Sequence, residues 1–152
     1  MAYSLDLITG GTPSADTENS AGYEADKACD DNTGTSWASS VTAFPHWWKY
    51  DFGVGITKII TRITLLSTNA ASPQIKNFTL QGSNNDSSWT TVYTGLTEDN
   101  TNVQTFSFSN GSAYRYYMIN ATDSWFGGNT IGAITEIEMM SGGLSSGFFA
   151  LL

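Results

Sequence analysis

WWKYDFG, residues 47–53, alternates Trp48, Tyr50 and Phe52 with Trp47, Lys49 and Asp51 before a glycine ends the run. On extended backbone successive side chains point to opposite faces, so this period of two with one aromatic face predicts a half-buried strand. Working outward, similar runs recur as IITRITLL (59–66), NFTLQGS (77–83), SWTTVYTG (88–95), VQTFSFS (103–109), YRYYMINA (114–121) and ITEIEMM (134–140). Between them lie STNAASPQ, GSNNDSS, LTEDNTN, SNGSA and TDSWFGGNTIG, each rich in the Gly, Asn, Asp, Ser or Pro that turns require. Phe78 and Leu80 oppose Asn77, Thr79 and Gln81, and Ile137 and Met139 oppose Glu136 and Glu138. Tyr114, Tyr116 and Met118 read as a further inward set, with Arg115 on the opposite face. The expectation is an all-β sandwich of two antiparallel sheets.

Composition supports one such unit. A chain of 152 residues is the size of a single domain, and only 13% of it is charged while 13% is aromatic. Fourteen acidic against six basic residues give a net charge of −8, which repels DNA or an anionic membrane at long range and makes nucleic acid a poor partner. The excess is compatible with a bound cation, although by itself it signifies solubility. Cys29 is the lone cysteine, so no intramolecular disulfide can form, and its thiol is expected in the core or beneath a loop. MAYSLDLITGG has neither a basic n-region nor a long apolar run, so no export signal is visible and membrane insertion is not expected. N-x-[ST] triplets at Asn77, Asn85, Asn110 and Asn120 are treated as chance in so Asn-, Ser- and Thr-rich a chain. The pattern breaks at GGLSSGFFALL, giving a domain over residues 1–141 and a Gly/Ser-rich apolar tail over 142–152. That tail is expected either to fold back on the domain or to dock on another subunit or a larger assembly.

The strongest local signal for chemistry is KACDDNTGTSW, residues 27–37. Asp30, Asn32 and Thr35 offer oxygens within a glycine-containing turn, as calcium requires, but so short a loop needs a distant acid to complete roughly six to eight ligands. The plain alternative is that Asp30 and Asn32 form Asx turns. The spacing is not that of an EF-hand, and one His with one Cys leaves no zinc set.

Taken in order, KACDDNTGTSW, PHWWKYDFG (45–53), FTLQGSNNDSSWTTVYTG (78–95), YRYYMI (114–119) and ITEIEMM resemble the discoidin, or coagulation-factor C-type, domain, including the galactose-binding-like carbohydrate-binding modules. The resemblance spans roughly residues 5–140 and implies a galactose-binding-like jelly-roll sandwich. It also implies a structural calcium held by the Lys27, Asn32 and Thr135 carbonyls, the Asp30 side chain, Thr35 through carbonyl and hydroxyl, and the Glu136 carboxylate. Asp31 stands where the family often has glycine, which at positive φ costs an aspartate more. Trp37, Trp47, Trp48 and Trp89 are expected to pack rather than bind.

Sugar sites pair an aromatic ring, stacked on the apolar face of a pyranose, with convergent polar groups. DSWFGGNTIG (123–132) supplies Trp125, Phe126 and Asn129 beside two glycines, and the alternative for Trp125 is a ring folded over the sheet edge. Site loops in carbohydrate-binding relatives would correspond to Ser39–His46 and Ser67–Lys76, adding Ser39, His46, Asn69 and Gln74, with His46 equally readable as a water-facing rim residue. No loop arginine is evident, since Arg62 and Arg115 fall in predicted strands, so the sugar is not specified. Catalysis is not expected: Glu136 is claimed by the metal reading, and no nucleophile-elbow motif surrounds a serine. The functional expectation is a non-catalytic, lectin-like adhesion module for a cell-surface glycan or polysaccharide. The alternative is a structural or decoration component of a virion or surface appendage, docked as an oligomer or larger assembly through residues 142–152.

Overall fold

A computed structural model describes residues 3–67, 73–126 and 131–142. Among these residues ten strands run in chain order: β1 (Thr12–Ala15), β2 (Trp37–Ala38), β3 (His46–Asp51), β4 (Arg62–Leu66), β5 (Asn77–Ser83), β6 (Thr90–Leu96), β7 (Gln104–Ser107), β8 (Tyr116–Ala121), β9 (Ala133–Ile134) and β10 (Glu136–Met140). One 3-10 turn, Ala25–Ala28, precedes β2. Sheet order is β1-β3-β8-β5-β6 in the larger sheet and β10-β4-β7 in the smaller, with β2 and β9 forming a separate pair; every strand pairing is antiparallel. This is the jelly-roll sandwich expected from the alternating runs. No helix among the described residues is long and apolar enough to cross a membrane.

The core lies between the two sheets. Trp48, Tyr50, Phe52, Phe78, Leu80, Tyr117 and Ile119 come from the larger sheet, and Ile63, Leu65, Ile137 and Met139 from the smaller. Burying a large apolar side chain stabilises by about 1.5–3 kcal/mol, so these positions dominate the favourable side of folding. The two core tryptophans also satisfy their indole N–H groups: Trp48 donates to the Ala25 carbonyl at 2.8 Å and Trp37 to the Thr17 carbonyl at 3.1 Å.

One face assignment is corrected. In β8 the inward set is Tyr117, Ile119 and Ala121, while Tyr116 and Met118 lie on the outer face. Tyr114 does pack on the core, but a bend at Arg115 separates it from the strand and shifts the alternation by one residue. Apolar residues on both faces of YRYYMI hide that shift from the sequence. Outside, Arg115 makes a two-pronged ion pair with Asp51, both contacts 2.7 Å, and its guanidinium lies 4.7 Å from the Tyr116 ring centroid. Trp89 meets the same tyrosine edge to face at 6.4 Å, so it packs on the outer sheet face rather than in the core.

The domain closes where its ends meet: the Ser4 N–H donates to the Ser141 carbonyl at 2.9 Å, and Tyr3 bridges Gly142. All but the first residue of the apolar tail expected over 142–152 lies outside the described residues, as do Asn69 and Asn129.

Candidate functional site

Antiparallel pairing brings the end of β4, the start of β5, the end of β6 and the starts of β7 and β10 to one end of the sandwich. There the loops are tied by backbone hydrogen bonds. The Trp125 N–H donates to the Gln74 carbonyl (3.0 Å), Lys76 to Asp123 (2.9 Å), Thr97 to Lys76 (3.0 Å) and Ser39 to Gly132 (2.9 Å). The segments expected to carry the ligand are therefore one connected surface.

Three expected polar contacts are instead interior ties. Ser39 is fully buried, and its hydroxyl accepts the Gly132 N–H at 2.9 Å. His46, 1% exposed, sets Nδ1 2.7 Å from an Asp16 carboxylate oxygen and Nε2 3.1 Å from the Thr42 carbonyl. At that burial it is not a rim residue facing water. Gln74 is 5% exposed and bridges Ala133 in parallel. Loops that pack on each other bury backbone groups, and the Ser39 and His46 side chains supply partners for two of them.

The aromatic pair divides its roles. Trp125 is half-buried; its indole N–H donates to Thr97 Oγ1 at 2.9 Å, and that hydroxyl donates to the Ile75 carbonyl at 2.6 Å. The Lys76 ammonium lies 4.6 Å from the Trp125 ring centroid. The ring is thus fixed in orientation and carries a cation, the geometry of a cation–π contact. Phe126 is 51% exposed and is the open apolar ring of the pair.

Beside this end, residues 30–36 meet the start of β10. The Asx turns are both formed: the Asn32 N–H reaches Asp30 Oδ1 at 3.1 Å and the Gly34 N–H reaches Asn32 Oδ1 at 2.9 Å. The turns do not account for everything. Thr35 Oγ1 lies 2.9 Å from each of Asp30 Oδ1, Asp30 Oδ2 and the Asn32 carbonyl, although its single proton can serve only one of them. Oxygens about 2.8 Å apart are what neighbouring ligands of a calcium ion show when each sits roughly 2.4 Å from the metal. Ser36 Oγ joins Thr135 Oγ1 at 3.1 Å, fastening the loop to the residue before Glu136.

Glu136 Oε2 is buried with no hydrogen-bond partner. Desolvation first, against the pull of the Asp31 N–H and with the added push of the Asp30, Asp31 and Asp6 charges, brings this carboxyl up to about 7. Asp6 is raised for the same leading reason, burial, despite amides from Met139 and Ile8. Among the described residues no three His, Cys, Asp or Glu side chains form a metal-holding group, so a cation here has to draw on carbonyls and a hydroxyl besides Asp30 and Glu136. The orphaned oxygen, the crowded Thr35 hydroxyl and the uncompensated acids fit a hard divalent cation. Asp31 has φ 56°, the left-handed conformation that glycine adopts at lower cost.

The family model described as F5/8 type C domain matches residues 12–137. The chain belongs to this family. Among solved structures, the family 32 carbohydrate-binding module of *C. perfringens* NanJ in complex with galactose is 21% identical, covers 92% of this chain and 100% of its own, and has a TM-score of 0.79. A chitosan-binding module 1 from the chitosanase/glucanase of Paenibacillus sp. IK-5 is 26% identical, covering 91% and 100%, at 0.72. The family 32 module of AlyQ in complex with 4,5-unsaturated mannuronic acid is 19% identical, covering 91% and 98%, at 0.70. No curated protein matches by sequence.

In this F5/8 type C domain the sequence reading missed three residues that build the loop end. Asp16, opposite His46, and Thr97, under Trp125, carried no motif. Lys76 ended a loop already singled out, and its charge was the available signal.

Proposed function

We propose that this domain is a non-catalytic carbohydrate-binding module that takes its sugar at the loop end around Trp125 and Phe126. The observation that carries the reading is an indole held by Thr97 next to a phenyl ring open to solvent, on a surface stitched together from several loops. Stacking of a pyranose needs an immobile ring and an exposed apolar face, and this pair supplies both. Support also comes from structurally similar modules described in complex with galactose, chitotriose and 4,5-unsaturated mannuronic acid.

We further propose that the Asp30–Thr35 loop and Glu136 hold a structural calcium, with the Lys27, Asn32, Thr35 and Thr135 carbonyls completing its shell. The ion would supply the positive charge that Asp6, Asp30, Asp31 and Glu136 lack, joining the first loop to β10. It has no chemical role in sugar recognition.

A glycan array with the native chain, Phe126→Ala and Trp125→Ala, each with calcium and with EDTA, tests the reading. Glycan signal that falls at least about tenfold in Phe126→Ala, a loss of about 1.4 kcal/mol, is the expected result. Absence of signal for the native chain in every condition refutes it.

A further inference from the structure

We propose that the sugar bound at this loop end is a hexuronic acid residue, and that Lys76 selects it by pairing with its carboxylate. This rests on the carbohydrate-binding reading above and adds the chemical class of the sugar.

Lys76 is fixed through its backbone on both sides: its N–H donates to Asp123 and its carbonyl accepts from Thr97. Its ammonium rests 4.6 Å from the Trp125 ring centroid. Among the described residues Lys27, Lys49 and Arg115 are each paired with an aspartate, but no carboxylate reaches Lys76. The acid tied to its backbone, Asp123, already has both oxygens committed, one to the Asn77 N–H at 2.8 Å and the other to Asn77 Nδ2 at 2.9 Å. In a chain of net charge −8, no carboxylate among the described residues forms an ion pair with this ammonium.

A hexuronic acid has the two features this surface asks for. Its pyranose offers an apolar C–H face to Phe126, and its carboxylate can accept from an ammonium already oriented by the indole beneath it. A neutral hexose satisfies the ring and leaves the ammonium to water. A cationic amino sugar meets like charge. The overall negative charge does not oppose contact recognition, since beyond about 8 Å it is screened at physiological ionic strength.

The test is titration calorimetry on the full chain with trimers of galacturonate and of mannuronate, their methyl esters, and the neutral galactose trimer. The ester keeps the shape and removes the charge. At least one acid trimer should bind about tenfold more tightly than its ester. Lys76→Met should abolish that preference by lowering acid affinity about tenfold, to the level of the ester, and Lys76→Arg should retain it. Equal affinity for acid and ester, or equal weakening of both in Lys76→Met, overturns the inference. If neutral sugars bind without preference for the acid, the carbohydrate-binding reading stands and the role of Lys76 falls. If no glycan binds on the array, both fall.

Discussion

Glu136 makes the calcium reading testable through pH alone. Without metal its carboxyl titrates near 7 in the folded protein, against an ordinary value of 4.5. Between those values the folded state holds a proton that the unfolded chain has released, so unfolding free energy falls as pH rises from about 4.5 through 7. At 1.36 kcal/mol per pH unit the ceiling on this loss is about 3 kcal/mol, and solvent reaching part of the side chain reduces it to about 1–2 kcal/mol. For a domain of this size that is a drop of about 2–8 °C in melting temperature between pH 5 and pH 8 in EDTA.

Calcium should reverse the trend, because it binds the ionised carboxylate. At a free concentration one hundred times its dissociation constant it adds about 2.7 kcal/mol, and that increment should be large at pH 8 and small at pH 5. Glu136→Gln keeps the shape and removes the charge. In EDTA it should melt above the native chain at pH 8 and match it near pH 4.5, and it should lose most of the response to calcium. Differential scanning calorimetry over a pH series, with the Glu136→Gln curve subtracted to cancel Asp6 and other carboxyls, isolates the effect. A calcium increment of the same size at pH 5 and pH 8, or one retained in full by Glu136→Gln, would refute the assignment.

Other consequences follow from the packing. A Cβ on Gly82 would run into the Tyr114 ring, which itself meets Tyr117 edge to face at 5.7 Å, so Gly82→Ala should cost about 1–3 kcal/mol by urea denaturation at unchanged m. Asp31→Gly relieves the positive φ and should raise metal-free stability by about 0.5–1 kcal/mol; a loss in EDTA would count against that account. Burial first, then the charges of Glu136, Asp26, Asp30 and Asp6, push the Cys29 thiol up to about 12. Its reaction with a disulfide reagent at pH 8 should therefore be at least about tenfold slower in the native protein than in urea, the thiolate being the nucleophile. His46→Ala removes a buried ring that bonds Asp16 and the Thr42 carbonyl, leaving Asp16 the Trp47 N–H, and should cost about 1–3 kcal/mol in thermal unfolding.

The architecture was legible because alternation survives in most strands. β3 shows it unbroken, with His46, Trp48 and Tyr50 buried and Trp47, Lys49 and Asp51 less so. It failed at β8, where Tyr116, Tyr117, Met118 and Ile119 offer no polar residue to mark the outer face and the bend at Arg115 resets the phase. β1 and β2 were not anticipated. TPSA carries a proline, and WA is two residues long, so neither presents a period. Both form because a neighbouring strand, β3 or β9, supplies the partner.

At the loop end the sequence picked out segments that the fold does bring together, but not which of their side chains stay exposed. Ser39, His46 and Gln74 were singled out as polar residues in loops that correspond to the site loops of carbohydrate-binding relatives, and loop side chains commonly face solvent. Where several loops converge, their backbone groups leave water, and each must then be met by a neighbour. A serine accepting the Gly132 N–H and a histidine between Asp16 and Thr42 answer that need. Such residues share the polarity of ligand contacts while acting one layer beneath them. Among the described residues, groups whose bonding the fold leaves incomplete include the Phe126 face, the Lys76 ammonium and, at the loop of residues 30–36, Glu136 Oε2. Incomplete pairing is a property of the folded neighbourhood, so a residue's own identity cannot reveal it. This is why the proposal for the choice of sugar rests on a loop lysine that carried no motif and not on the single histidine.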